Sequence, residues 1–409
     1  MTFMEQNAKW IMNEQMKPEV TPAGPTAILH QDKIRTVRRF IETCDNYIPT
    51  PLTELSSLAR EWKLGQILVK DESKRFGLNA FKVTGGIYAI ASEICQRTGM
   101  NVETVTFEKL KSKEIKDQLG DLVFVTATDG NHGKGVAWAA RELGQKSVIF
   151  MPKGSSEFRL KSIQKEGAEA SITDLNYDDA VRHAKAYADA HNGIVIQDTA
   201  WKGYETVPVW IMQGYAVIAD EINTELNARN QLPPTHLFLQ AGVGSFASAI
   251  LGYMVETWKT ERPATIILEP DQADCYYQTA LINDGKPHAV TGDMNTIMAG
   301  LACGEPNPIS WEIIRKYAHG FVSCPDYLAA RGMRILAAPL PGDIPIVSGE
   351  SGAIGIGFLS ELMTNPEFVP LRSKLGINET SRILVISTEG NTDPEAYRNI
   401  VWEGSYASI

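Results

Sequence analysis

Short runs of consecutive apolar residues alternate with longer stretches of helical spacing along most of the chain. Strand-like runs fall at 67–69, 122–127, 147–151, 170–172, 194–196, 236–239, 264–268 and 383–387. Between most of them apolar positions recur every three to four residues, as at 81–97, 133–143, 177–190, 207–227 and 245–258. Continuous apolar strands separated by helices predict an α/β fold whose parallel sheets are covered on both faces. At 409 residues the chain is long enough for more than one such sheet.

Elsewhere the pattern is weaker. Residues 1–29 read as an irregular arm. A helix is predicted over 30–44, with Ile34, Val37, Phe40 and Ile41 on one face. The prolines at 49 and 51 force 47–52 to be extended. The charged stretch 101–121 reads as a solvated surface insertion. The uncharged run 230–255 contains Pro233, Pro234, Gln240, Gly242 and Gly244, so it reads as strand, glycine loop and helix rather than a membrane span.

Composition narrows the function classes. An apolar fraction of 44% and a charged fraction of 22% exclude a disordered or fibrous chain. A net charge of −10 predicts no broad basic surface, and so no nucleic acid or anionic membrane as partner. The five cysteines, Cys44, Cys95, Cys275, Cys303 and Cys324, form no CxxC pair, so neither a disulfide framework nor a structural metal site is expected. The opening residues lack a basic stretch followed by an apolar run, which makes a reducing cytoplasm the default expectation.

Open α/β sheets bind ligands beyond the carboxyl ends of their strands, and four such places carry chemistry. Lys82 stands at a helix start, where the macrodipole and burial are expected to depress its amine pKa and favour a nucleophilic amine. Thr126–Gly135 is a glycine-rich turn into a helix, suited to a carboxylate or phosphate; Asp129 is the odd residue in it, and His132 reads as satisfying local hydrogen bonds. Gln240–Ala247 is a second glycine loop before a helix, with neither a nucleotide triphosphate ending nor a dinucleotide spacing. The fourth is the strand end 383–390, which carries the hydroxyls of Ser387 and Thr388.

Taken in this order, the four places resemble the fold type II pyridoxal-phosphate enzymes, the tryptophan synthase β and threonine dehydratase group, over about 49–390. Within that group, five segments resemble the diaminopropionate ammonia-lyases: 70–82, 128–133, 197–201, 298–307 and 348–353. The resemblance implies two open, mainly parallel twisted sheets flanked by helices, with a homodimeric assembly. It implies a large cofactor-binding domain of residues 1–86 and 204–409 and a small inserted domain of 87–203. The implied reaction converts D- and L-2,3-diaminopropionate to pyruvate and two ammonia on pyridoxal 5'-phosphate. A serine or threonine dehydratase, a non-catalytic cofactor-binding protein and a plain nucleotide-binding protein are the rivals.

The resemblance also implies roles. Lys82 binds the cofactor covalently and, once displaced, is the base on one face of Cα. Asp129 is the base on the opposite face. Thr128, Asp129, Gly130 and His132 face the substrate, and Asn131 faces the cofactor's phenolic oxygen. Gly242, Val243, Gly244, Ser245 and Phe246 form the phosphate loop, and Ser387, with Thr388 as alternative, meets the ring nitrogen. Asp198 either holds the β-ammonium or orients the substrate, unless it is only a turn residue. Glu350 either lines the cofactor pocket or binds backbone. Cys275 and Cys303 lie in a stretch able to cover the entrance, as two buried thiols or as a bridge.

Overall fold

The computed structural model describes residues 7–17, 19–21 and 23–407. Its strands are β1 (Lys9–Met12), β2 (Leu52–Glu54), β3 (Gln66–Asp71), β4 (Val123–Ala127), β5 (Lys146–Met151), β6 (Glu169–Ile172), β7 (Ile194–Val195), β8 (His236–Gln240), β9 (Ala264–Pro270), β10 (Gly320–Cys324) and β11 (Arg382–Ser387). One sheet runs β1-β10-β9-β8-β11-β3-β2 and the other β6-β5-β4-β7. The second is parallel throughout. The first is parallel between its edges, with β1 and β2 antiparallel. This is the expected α/β class, with two open, mainly parallel sheets flanked by helices.

All eight expected strands are present. β6 and β7 are only half-buried, because they are the edges of their sheet. β1, β2 and β10 were not foreseen as strands. The arm at 1–29 is not wholly irregular: Lys9–Met12 is held as a strand by antiparallel pairing from Lys9 opposite Ser323 to Met12 opposite Gly320, a contact no local pattern announces. The charged stretch 101–121 keeps its charges at the surface, as expected. It folds as two short helices, Phe107–Leu110 and Lys113–Leu119, that bury Phe107, Leu110 and Ile115 while their charges face outward.

The helix that begins after Lys82, Val83–Thr98, is buried along nearly all its length. It lies between the helices Asn131–Glu142 and Thr206–Ala228 with little more than backbone separating them. A Cβ added at Gly214 would stand 2.4 Å from the Thr84 carbonyl oxygen, and one at Gly135 would stand 2.8 Å from the Val83 Cα. The lysine therefore starts a helix that cannot shift sideways.

The charged run before it is structural. Lys70 Nζ lies 2.7 Å from Glu221 Oε2, and Arg75 Nη1 lies 2.6 Å from Glu221 Oε1. Arg75 Nη2 also donates to Glu72 Oε1 at 2.9 Å. Two cations and two carboxylates, all buried, thus tie the turn Glu72–Gly77 to the helix Thr206–Ala228. All five cysteines are buried and unbridged, including Cys275 and Cys303. Among the described residues no helix is long and apolar enough to cross a membrane.

Candidate active site

The carboxyl ends of β4, β7, β8 and β11 converge on the start of the lysine helix and enclose a chamber. Lys82, Thr128, Asp129, Asn131, His132, Asp198, the loop 242–246, Thr388 and Glu389 line it. The four places picked out along the sequence are therefore one place in space.

Lys82 Nζ donates to Asp198 Oδ2. Burial lowers the lysine's pKa, but the Asp198 carboxylate outweighs it and holds the amine above its ordinary value. The depression expected from macrodipole and burial is thus outweighed by a counter-ion that was not foreseen. Asp198 is itself buried, which raises its pKa, yet the Lys82 ammonium pulls it well below the usual carboxylate range. Tyr215 Oη donates to Asp198 Oδ2 at 3.2 Å. Asp198 is thus an ionised partner for a cation, not a turn residue.

The turn carrying Asp129 is built by Thr128, whose hydroxyl accepts from the amides of Gly130 at 2.9 Å and Gly133 at 3.0 Å. Gly130 has a φ of +152°, a conformation that favours glycine. Asp129 Oδ2 is buried without a hydrogen-bond partner. Asn131 Nδ2 donates to Glu389 Oε2, and Glu389 Oε1 accepts from the Ser351 amide at 3.1 Å. Burial raises the Glu389 pKa, against the pull of Arg159. His132 Nε2 donates to the Ile196 carbonyl at 2.7 Å, a partner just after β7 rather than the local one expected. Burial lowers its pKa and leaves Nδ1 unpartnered.

At the far end the loop 242–246 enters the helix Ser245–Trp258 with free amides and the positive end of the dipole, a seat for a phosphate. Gly244 has φ +92°, and a Cβ there would fall 2.0 Å from the Tyr276 hydroxyl. Tyr276 in turn donates to the Val243 carbonyl at 2.8 Å, and Asn307 donates to Ser245 Oγ at 2.8 Å. Of the two hydroxyls after β11, Ser387 is turned away, donating to Ser348 Oγ at 2.8 Å. Thr388 lines the chamber and accepts from Gln240 Nε2 at 3.1 Å.

These groups fit pyridoxal phosphate: a lysine for its aldehyde, a helix start for its phosphate, a hydroxyl for its ring nitrogen. The chamber encloses about 40 Å³, and the bonds Lys82–Asp198 and Asn131–Glu389 join side chains that line it.

Outside lies a vestibule of about 500 Å³ that shares Asp129 and Tyr177 with the chamber. Glu350 stands on its wall rather than in the chamber. Burial pushes the Glu350 carboxyl up to about 7, Glu389 adds to this and Arg159 opposes it. Arg159 Nη1 lies 3.9 Å from Asp129 Oδ2, and Nη2 lies 3.7 Å from Glu350 Oε2. Sequence reasoning gave no role to Arg159, Glu389 or Gln240. Gln240 and Glu389 stand inside two of the four places already singled out, which was a usable signal. Arg159 sits in an ordinary charged helix and gave none.

Residues 44–366 match the family of pyridoxal-phosphate dependent enzymes. The diaminopropionate ammonia-lyase of Salmonella typhimurium is 51% identical over 405 residues, 99% of this chain and 100% of that protein. The diaminopropionate ammonia-lyase of Escherichia coli in complex with D-serine superposes with a TM-score of 0.91 at 46% identity, covering 98% of each chain. The same enzyme in complex with an aminoacrylate–PLP azomethine reaction intermediate gives 0.89 at 45% identity, again over 98% of each chain.

Proposed function

The chain belongs to the pyridoxal-phosphate dependent enzymes, among their diaminopropionate ammonia-lyases, and from that premise we infer that it converts 2,3-diaminopropionate of either hand to pyruvate and two ammonia. Water supplies the oxygen of the ketone. The observation that carries the reading is Asp129 and Lys82 in one chamber, one with an unbonded carboxylate oxygen and the other paired to Asp198. Pyridoxal phosphate supplies an electron sink that acidifies the substrate's Cα proton.

The chain's residues do the rest. We propose that Lys82 holds the cofactor, that the amides of 242–246 take its phosphate, and that Asn131 and Thr388 meet its ring. Lys82, once displaced, takes the Cα proton on one face, and Asp129 takes it on the other. Asp198 is the carboxylate next to the lysine and holds the substrate's β-ammonium, so that the leaving nitrogen departs already protonated. An acidic site suits a substrate with two amino groups and is ill suited to a hydroxyl leaving group.

The seven-stranded sheet with its helices is proposed as the large cofactor domain, 1–86 and 204–409, and 87–203 as a smaller domain that closes over the cleft. Five buried free thiols support a reducing cytoplasm, and a homodimer is the proposed assembly, open to test by sedimentation. The deciding experiment measures pyruvate formed from D-diaminopropionate, L-diaminopropionate and serine. Both diaminopropionate isomers should exceed serine, and equal or faster turnover of serine overturns the reading.

A further inference from the structure

We propose that Arg159 is a positioning residue for proton transfer on the Asp129 face: its guanidinium stands beside the Asp129 carboxylate and holds it in place while leaving Oδ2 free to accept a proton. The inference rests on the reading of Asp129 as the base for one isomer.

The geometry is specific. Arg159 is more than nine-tenths buried, and Nη1 stands 3.9 Å from Asp129 Oδ2, near enough for attraction and too far for a hydrogen bond. Oδ2 has no hydrogen-bond partner at all. A base hydrogen-bonded by its counter-ion must lose that bond to take a proton, whereas one balanced only by a nearby charge keeps its lone pairs available.

The arginine is itself held in place. Ser156 Oγ accepts from the Arg159 amide at 3.2 Å and caps the helix Glu157–Lys165. Its stem lies against the Asp129 turn: a Cβ at Gly130 would stand 3.0 Å from Arg159 Cδ. The turn needs glycine there both for its φ and for this approach.

Other charged and titratable groups also face Asp129. Lys82, His132, Glu389, Tyr177, Tyr215 and Cys303 all feel its charge. The Lys82 cation is already bonded to Asp198, and burial keeps His132 neutral. Glu389 repels Asp129, and the two tyrosines and the cysteine are held protonated by burial. Arg159 is left as the cation whose own ion pairs are with Asp129 and Glu350.

The test compares Arg159→Met and Arg159→Lys in the holoenzyme. For Arg159→Met, the acidic limb of kcat/KM should move up by about one pH unit for the isomer that depends on Asp129. Its kcat should fall about tenfold more than that of the other isomer, and Arg159→Lys should restore most of both. A second readout needs no turnover. With 13C-labelled aspartate and Asp129→Asn as the spectral reference, infrared titration should show the Asp129 carboxyl moving up by about the same amount. An unmoved infrared titration overturns the proposal. So does an equal rise in KM for both isomers, which would mean that Arg159 binds the substrate carboxylate. If Asp129→Asn impairs both isomers alike, the base assignment fails, while the infrared shift still reports on Arg159 alone. Should Arg159→Met not fold, Arg159→Gln, which removes the charge and keeps a polar side chain, must give the same infrared shift, or the proposal falls.

Discussion

Lys82 and Asp198 reach each other across the join between the two sheets. One starts the helix that follows β3, the other lies just beyond β7, and their side chains form a largely buried ion pair. The pair keeps the amine charged in the cofactor-free protein. It also explains how a lysine is tolerated in so enclosed a place.

Asp198→Asn strands the Lys82 ammonium, and breaking a buried pair from one side costs about 3–5 kcal/mol. Lys82 has a raised pKa, so the stabilisation it contributes is full below its ordinary value near 10.4 and fades as pH climbs through the folded value. Asp198 has a lowered pKa, so its share is present above about 3.9 and is lost only in stronger acid. Denaturant unfolding of cofactor-free protein should show the widest gap between wild type and Asp198→Asn at about pH 5 to 6, narrowing as rising pH lets the unpaired, burial-depressed Lys82 amine of the variant become neutral. The absence of a gap at about pH 5 to 6 would contradict the pairing.

Lys82→Ala should abolish turnover, by about a thousandfold or more. Borohydride reduction of the holoenzyme followed by peptide mapping should place the adduct on Lys82. An adduct on any other lysine ends the assignment.

Asp129→Asn should slow the D isomer about a hundredfold or more and the L isomer far less, since general-base catalysis is worth about that much. Isomer-resolved steady-state kinetics check this, and equal losses remove the two-base mechanism.

Gly244→Ala puts a methyl group where the Tyr276 hydroxyl stands, at a φ of +92°. The loop must move, and cofactor affinity should drop about tenfold or more, because phosphate amides act only when aligned. Titration by cofactor absorbance measures it.

Glu221→Gln leaves Lys70 and Arg75 with Glu72 as the remaining carboxylate of their buried cluster. About 3–5 kcal/mol of stability should be lost, far from the chamber. Thermal unfolding reads the loss directly, and an unchanged midpoint would show that the network is slack.

Much of this was legible along the chain because parallel strands in a doubly covered sheet are apolar throughout, and β3, β4, β8 and β11 announce themselves that way. β1 was hidden for the opposite reason: an edge strand four residues long exists by virtue of its partner β10. The site was legible where chemistry needs glycine or lysine at a strand end. It was not legible where a group acts across the fold. The sign of the Lys82 shift depended on Asp198, 116 positions away, and Arg159 has no local signature at all. The charged residues Lys70, Glu72 and Arg75, in a segment that carried the resemblance, form a buried cluster with Glu221.

The tight seating of the lysine helix has a practical consequence. With the neighbouring helices so close that a Cβ at Gly214 or Gly135 would run into the Thr84 carbonyl oxygen or the Val83 Cα of its first turn, Lys82 is the fixed point from which every other distance in the cleft is set. An engineer who wants a bulkier amino acid to react should leave that helix and Arg159 alone and reshape the vestibule wall around Lys153 and Met294, where about 500 Å³ is already open.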